Sequence, residues 1–191
     1  MGISLSKGQT VSLAKNTGLA KVAMGLGWDA AKKSGFFGRL SAPAEIDLDA
    51  SVLVFDAHGG VLDTVWFRQL RGMNGAIVHS GDNRTGEGDG DDETISIDLA
   101  ALDAKAVSLV FVVNSFTGQT FNDVENASCR LIDLAKKEEL VKFVLSEKGA
   151  NTGVVMAKLS RASGAWEMTA IGKAVNGRTV QDMTAAARAA L

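Results

Sequence analysis

Apolar and polar residues alternate along much of this chain with a period of two, the pattern of β-strands that bury one face. The alternation is strict at 95–99, and shorter apolar runs such as 52–55 and 109–113 predict more fully buried strands. Further strands are predicted near residues 3–5 and 11–13, 22–26, 76–79, 128–134, 140–145, 154–159 and 166–171. About ten short strands separated by turn residues predict an all-β fold, a β-sandwich of two mainly antiparallel sheets.

The end of the chain has helical features instead. Thr179 and Asp182 have the spacing of a capping box, and residues 185–190 are nearly all good helix formers. We therefore expect a C-terminal helix beside a few short helices. No stretch is long and polar enough to be a linker, so residues 1–191 are predicted to form a single domain.

The segment 32–44 is predicted to be a loop, because it contains two glycines and Pro43, the only proline. It also contains Phe36, Phe37 and Leu40. These apolar side chains either fold onto the sandwich as a flap or form a contact surface, and the sequence leaves both alternatives open.

Composition excludes several classes of protein. A single cysteine excludes an intrachain disulfide and a cysteine-based metal cluster. The net charge of −2 argues against a general nucleic-acid binder. The longest apolar run, 107–113, is too short to span a membrane, and the N-terminus lacks the pattern of a signal peptide. We therefore expect a cytoplasmic protein that binds no nucleic acid and spans no membrane.

The small net charge conceals a compact acidic segment. Residues 82–98 contain seven acids and one base, a net of −6, so the remainder of the chain carries +4. Six carboxylates and the amide of Asn83 lie within residues 82–93, among glycines that expose backbone carbonyls. Ca²⁺ binds six to eight oxygens of these kinds. The segment is therefore a candidate calcium site, and a solvated acidic turn is the alternative.

A second acidic pair precedes the strand predicted at 52–55. Asp47 and Asp49 share one face if that stretch is extended, while Ile46 and Leu48 occupy the other. By the same rule Asp89, Asp91 and Glu93 are expected to share a face. Two such sets at strand ends could meet around one or two cations.

Other site chemistries fit the sequence less well. Asp82 and Glu93 have the spacing of EF-hand positions 1 and 12, but Glu87 stands where that loop requires glycine. Mg²⁺ prefers fewer carboxylates, and zinc or copper would require His or Cys. His79 is expected to be a structural residue at a strand end, or a group that supports the acidic loop.

No nucleophile motif is evident, so we expect a protein that is not an enzyme. Cys129 lies in a predicted strand and is expected to be buried. Ser163 lacks the glycine that would precede a nucleophile elbow. A carboxylate-based hydrolase would need an aromatic-lined cleft, and the chain has no Tyr and three Trp.

The acidic segment resembles the signature loop of the TerD family, the bacterial tellurite-resistance and stress proteins. The resemblance covers essentially the whole chain and includes the stretches 4–7, 25–29 and 46–51. The stretches 66–70, 113–116, 124–127, 177–179 and 182–183 resemble the TerZ branch more closely.

This resemblance implies a non-catalytic β-sandwich that binds two Ca²⁺ ions and acts in tellurite and general stress resistance. It also implies other tellurite-resistance proteins as partners, with a possible association with membranes. The implied metal ligands are Asp47, Asp49, Asp82, Asn83, Gly88 through its carbonyl, Asp89, Asp91 and Glu93. Asp29, Asp92 and Glu125 are additional candidates. Two alternatives remain, a calcium-dependent module that binds carbohydrate or lipid headgroups and a carboxylate-based hydrolase.

Overall fold

The part of the chain that the structure describes folds into a sandwich of two β-sheets, with one α-helix packed on the outside. The computed structural model describes residues 2–30, 47–81, 83, 90–146, 148–162 and 164–191. The predicted loop at 32–44 and the predicted ligands Asp82, Gly88 and Asp89 lie outside these residues.

Seven strands form the first sheet in the order β1-β11-β10-β3-β8-β7-β6. Their bounds are β1 Ile3–Leu5, β3 Lys21–Ala30, β6 Arg71–Gly72, β7 Ile77–His79, β8 Glu93–Asp98, β10 Val124–Asp133 and β11 Glu138–Val144. Neighbouring strands are antiparallel except β1 and β11, which are parallel.

Six strands form the second sheet in the order β2-β13-β12-β9-β4-β5, with every pair antiparallel. Their bounds are β2 Thr10–Ser12, β4 Leu48–Phe55, β5 Val61–Val65, β9 Ser108–Ser115, β12 Gly153–Ala162 and β13 Ala165–Val175. The predicted sandwich of two mainly antiparallel sheets is thus confirmed.

The main core lies between the sheets, where alternate residues of each strand meet. Met24 and Leu26 from β3 and Ile95 from β8 are fully buried there against residues such as Val52 and Phe111 of the second sheet. Burial of such side chains supplies about 1.5–3 kcal/mol each.

A second, smaller core covers the outer face of the second sheet. The helix α1, Val180–Arg188, packs Val180 and Met183 against Leu53 and Phe55 of β4. The strand β4 is therefore buried on both faces, which explains its continuous apolar run at 52–55.

The helix begins where the sequence predicts. The carboxylate of Asp182 accepts hydrogen bonds from the backbone N–H groups of Arg178 and Thr179, both at 3.0 Å. These bonds lower the pKa of Asp182. They also stabilise the first turn, whose N–H groups have no partner within the helix.

Two strands, β5 and β6, are not evident in the sequence. The N-terminal stretch predicted as a first strand instead forms β1 and β2, which pair in different sheets. Cys129 is buried as expected, and this burial raises the pKa of its thiol to about 12.

No helix in the described residues has the length and apolar character needed to cross a membrane.

The two ends of the sandwich are named here for later use. At the acidic end β3 and β9 end while β4, β8 and α1 begin, which brings Trp28, Asp49, Glu93, Asn114 and Thr179 to one end of the molecule. At the opposite end β3 and β9 begin while β4 and β8 finish.

Candidate metal site at the acidic end

Glu93 connects the two sheets at the acidic end. Its side chain is fully buried, and its Oε2 atom accepts a hydrogen bond of 2.7 Å from the backbone N–H of Ala50 in β4. Along β4, pairing with β5 begins only at Val52, so β5 does not reach Ala50 and offers no acceptor to its N–H. Glu93 therefore satisfies a donor that the sheet leaves open.

His79 satisfies the carbonyl of the same residue. Its Nε2 lies 3.0 Å from the Ala50 oxygen and 3.4 Å from Glu93 Oε2, while Nδ1 accepts a bond of 3.0 Å from the backbone N–H of Gly81. Burial disfavours the charged ring, but Glu93 and the Ala50 carbonyl outweigh that effect and raise the pKa of His79. His79 is thus a hydrogen-bonded structural residue at the end of β7, and through Glu93 and Gly81 it also supports the acidic segment.

Glu93 also holds the start of the acidic segment. Its Oε1 accepts a hydrogen bond of 3.1 Å from the backbone N–H of Asn83. The Asn83 amide donates in turn to Asp92 Oδ1 at 3.4 Å, and Asp92 Oδ2 accepts from the Trp28 backbone at 2.8 Å. The two ends of the segment 83–93 are therefore held together over the end of β3.

The environment of Asp92 disfavours its negative charge. Burial is the largest cause that raises its pKa, and the nearby charges of Asp29, Glu93 and Asp91 act in the same direction. The hydrogen bond from Trp28 opposes them without cancelling them. A bound cation would reverse this balance, because opposite charge favours the ionised carboxylate.

Asp49 lies on the helix side of the second sheet. Leu48 packs in the core, so Asp49 faces the other way, as the alternation predicts. It is buried, and its Oδ2 accepts from the Asn114 amide at 3.4 Å. The Oδ1 atom of Asp47, just before β4, is buried as well.

The side-chain oxygen of Asn114 is the clearest indication of a bound ligand in this site. Its Nδ2 donates to Asp49 and to the Arg178 carbonyl, at 2.8 Å from the latter, which fixes the orientation of the amide. Its Oδ1 is buried and has no hydrogen-bond partner in the described part of the chain, and the same holds for the hydroxyl of Ser51. Such orphaned acceptors are rare in folded proteins and indicate an ion or water.

Asp91 occupies a different place from Glu93. The strand β8 begins at Glu93, and Asp91 turns to the outer face of the first sheet, 2.8 Å from Arg130 Nε. There it lies over Gly25, where any Cβ would overlap its carboxylate. The expected shared face of Asp91 and Glu93 is therefore wrong, because the chain bends at Asp92 and becomes an extended strand only from Glu93.

The additional candidates lie at the rim of this end. Asp29 and Glu125 are register partners in β3 and β10. Asp29 accepts from the Asn126 amide at 2.6 Å, and Glu125 pairs with Lys148 at 3.4 Å. Both are thus bound to other side chains rather than aimed at Asp49.

Side-chain oxygens fit a hard cation at this end, although the described residues form only part of a site. Asp47, Asp49, Asn83 and Asn114 provide carboxylate and amide oxygens of the type that Ca²⁺ binds. Among the residues described, no three or more His, Cys, Asp or Glu side chains converge as a complete metal cluster. Further oxygens would have to come from the acidic segment.

Asn114 was not singled out as a ligand from the sequence. The available signal is that two polar residues, Asn114 and Ser115, end a buried apolar strand. Polar side chains that remain buried at a strand end require partners, and this requirement identifies them as candidates.

Comparisons with known proteins find similar chains and a similar fold. The family model described as TerD domain matches residues 1–186. Tellurium resistance protein TerZ of Serratia marcescens is 51% identical over 183 residues, covering 95% of this chain and 94% of that protein. General stress protein 16U of Bacillus subtilis is 40% identical over 186 residues, covering 93% of each.

A solved structure is also similar. It is that of a homologue of telluride resistance protein (TerD) from Streptomyces coelicolor, which superposes with a TM-score of 0.68 at 25% identity. The match covers 87% of this chain and 96% of that one.

Proposed function

This chain belongs to the TerD family of tellurium-resistance and stress proteins, and from that premise we propose that it is a calcium-binding, non-catalytic module of the cytoplasmic stress response. The proposal rests on one observation above all. A buried acceptor, Asn114 Oδ1, lies beside the buried carboxylate of Asp49 and has no hydrogen-bond partner among the described residues. A cation would provide the missing positive partner.

The residues that would hold calcium divide into two groups. Asp47, Asp49, Asn83 and Asn114 lie at the acidic end and would meet Asp82, Gly88 and Asp89 of the acidic segment. When bound, Ca²⁺ would supply the positive charge that a segment of net −6 requires.

Glu93 and Asp91 are engaged by the protein itself. Glu93 accepts backbone N–H groups from Ala50 and Asn83, and Asp91 pairs with Arg130. We therefore infer that the main role of Glu93 and Asp91 is to fix the ends of the acidic segment. Their direct binding to an ion stays a prediction.

The contacts of these carboxylates also support a non-catalytic role. A general acid or base needs a proton to exchange with substrate, whereas Glu93 is fully buried and saturated by backbone donors. The only thiol, that of Cys129, is buried with a pKa raised to about 12, so it is a poor reductant for an oxyanion.

Calorimetric titration of the chelator-treated full chain tests the proposal. We expect saturable Ca²⁺ binding that weakens at least about tenfold in Asp49→Asn, as loss of a ligand or its support does. The matched control is Asp98→Asn at the far end of β8, which should bind as the parent does. Absence of binding at millimolar Ca²⁺, or equal affinities of Asp49→Asn and the control, would contradict the proposal.

A further inference from the structure

The connection between β6 and β7 is a left-handed turn that contains a methionine. Met73, Asn74 and Gly75 have φ angles of +49°, +56° and +90°. Glycine and asparagine adopt this region of backbone conformation readily, but a residue with a long side chain rarely does. Met73 therefore has a strained backbone, and such a conformation persists only where other contacts hold it.

One of these contacts is a hydrogen bond to β5. The carboxylate of Asp63 accepts from the backbone N–H of Met73 through Oδ2 at 2.6 Å, and from the side-chain amide of Gln69 through Oδ1 at 2.8 Å. Gly72 lies so close to β5 that a Cβ at this position would overlap Val65. The backbone that enters the turn is thus held against the second sheet.

The other contact is made by the Met73 side chain. It packs against the main core but is only half-buried. The rest of the turn, Asn74 and Gly75, is exposed, and within the described chain a Cβ at Gly75 would meet no atom beyond its neighbours within 4 Å. The Met73 side chain therefore lies at the boundary between core and solvent, where a small oxidant can reach it without unfolding.

The other methionines that the structure describes are protected. Met24, Met156, Met168 and Met183 are at most 1% exposed. Because burial excludes oxidants from a thioether, the reactivity of these five residues in the folded protein should follow their exposure. Among the five, Met73 is the residue that an oxidant dissolved in water reaches first.

We propose that Met73 is a reversible oxidation site with hydroperoxides as the oxidant, and that its oxidation releases the turn from the core. The Met73 sulfur attacks one peroxide oxygen, so an S–O bond forms and the O–O bond breaks. The sulfur loses two electrons. The departing hydroxide takes the proton of the transferred hydroxyl and leaves as water. The product is methionine sulfoxide, which sulfoxide reductases convert back to methionine.

Oxidation weakens one of the two contacts that hold the turn. The sulfoxide oxygen is polar, and its burial against an apolar core is unfavourable without a hydrogen-bond donor. The bond to Asp63 remains, but it then has to hold the strained backbone alone. We therefore expect the turn and the two-residue strand β6 to open more often. The strand β7 leads from the turn to His79, which contacts Glu93, so this opening is connected with the candidate site but does not depend on calcium.

Peptide mass spectrometry of the full chain after graded treatment with hydrogen peroxide tests the site. We expect Met73 to gain one oxygen atom at least about tenfold faster than Met24, Met156, Met168 or Met183 in the folded protein. In urea the five residues should react at similar rates, because the fold causes the difference. A Met73 rate in the folded protein no faster than that of the buried four would overturn the proposal, as would the same order of rates in urea.

Hydrogen exchange measures the release of the turn. Peptides that cover residues 71–79 should exchange at least about tenfold faster after oxidation, whereas peptides of β9 should not change. Treatment with methionine sulfoxide reductase should restore slow exchange. The variant Met73→Leu keeps the side-chain volume without the sulfur, so peroxide should leave its exchange unchanged. Oxidation at Met73 without faster exchange would overturn the release of the turn.

The matched control is Met156→Leu, which removes a buried sulfur from β12 and leaves Met73 in place. Peroxide should accelerate exchange at residues 71–79 in this variant as it does in the parent. Equal acceleration in Met73→Leu would show that another residue causes the effect and would overturn the assigned site. The oxidation rates are measured on the parent chain, so a variant that fails to fold does not remove the test.

Discussion

One arginine at each end of the sandwich stacks on aromatic rings, but the two differ in their hydrogen bonds. At the opposite end the Arg161 side chain donates to the carbonyls of Ala106 and Leu102, at 3.0 and 3.3 Å, and stacks over Trp166 at 4.8 Å. Lys21 there pairs with Asp98 at 3.3 Å. At the acidic end, just beyond β9, Arg68 stacks over Phe67 and Phe116 at 5.2 and 5.8 Å, yet within the described chain its N–H groups find no acceptor.

This difference distinguishes an arginine that stabilises the fold from one that is available to a ligand. Arg161 stabilises the loop between β8 and β9, because its guanidinium donates hydrogen bonds to the carbonyls of that loop. At the acidic end, among the described residues, the Arg68 guanidinium has no anionic partner and the buried Asn114 Oδ1 has no donor. Groups that are left without a partner in this way indicate a place that receives ligands.

The largest effect is expected from Glu93→Ala. The change leaves the buried N–H of Ala50 and the half-buried N–H of Asn83 without their acceptor, which should cost about 3 kcal/mol of unfolding free energy in urea denaturation. Asp98→Ala, at the other end of β8, removes an exposed ion pair with Lys21 and an exposed hydrogen bond from the backbone N–H of Ala101, so it should cost clearly less than Glu93→Ala. Similar losses for the two variants would remove the contrast between the ends.

Calcium should stabilise the folded chain through the acidic end alone. At 100 times its dissociation constant it should add about 2.7 kcal/mol to the unfolding free energy, measured against the same protein in chelator. Asp49→Asn should lose most of this increment and Asp98→Asn should keep it. If Ca²⁺ still increases the unfolding free energy of Asp49→Asn by this amount, the ion binds at another place in the molecule.

A smaller effect is expected at the start of α1, where the Arg178 carbonyl contacts Asn114. Asp182→Ala removes the cap and should cost about 1 kcal/mol, against little for the exposed neighbour Gln181→Ala. The pKa of Asp182 is lowered in the folded state by the N–H of Arg178, the side chain of Thr179 and the N–H of Thr179.

This direction of shift sets the pH dependence of the cap. Its contribution is complete above the ordinary pKa of an aspartate and is lost as pH falls through the lower folded value. The difference between parent and Asp182→Ala should therefore shrink in acid, below about pH 4. A difference that grows in acid would contradict the assignment.

The smallest effect concerns the ion pair on the outer face of the first sheet. Arg130 is 36% exposed, so Arg130→Gln should lower stability by less than about 1 kcal/mol and leave the calcium affinity within about twofold. Calorimetry measures the second quantity. A marked rise in affinity would show that Arg130 competes with the ion for Asp91, and that Asp91 is a ligand.

Local patterns predict most of the fold, because buried strands impose their alternation on the sequence. The strand β8 and the cap of α1 are evident from a few residues each. The strands β5 and β6 are not, because Val61 and Leu62 are both exposed at a sheet edge and β6 has two residues. Edge strands carry weak patterns, since neither face is fully buried.

The candidate site is predicted only in part, because its assembly depends on contacts between the sheets. The same-face arrangement of Asp49 opposite Leu48 follows from alternation. The link from Glu93 to Ala50 does not, since it joins β8 of one sheet to an unpaired N–H of β4 in the other. The edge-to-face contact of Phe116 with Phe67 is equally non-local, because the two rings come from distant loops.

A crystal structure of the calcium-loaded protein tests the central claim most directly. The account predicts anomalous density at the acidic end, with an Asp49 carboxylate oxygen and Asn114 Oδ1 among the ligands at about 2.3–2.6 Å. Crystals grown with millimolar Ca²⁺ that show no ion there, or an ion remote from Asp49 and Asn114, would contradict it.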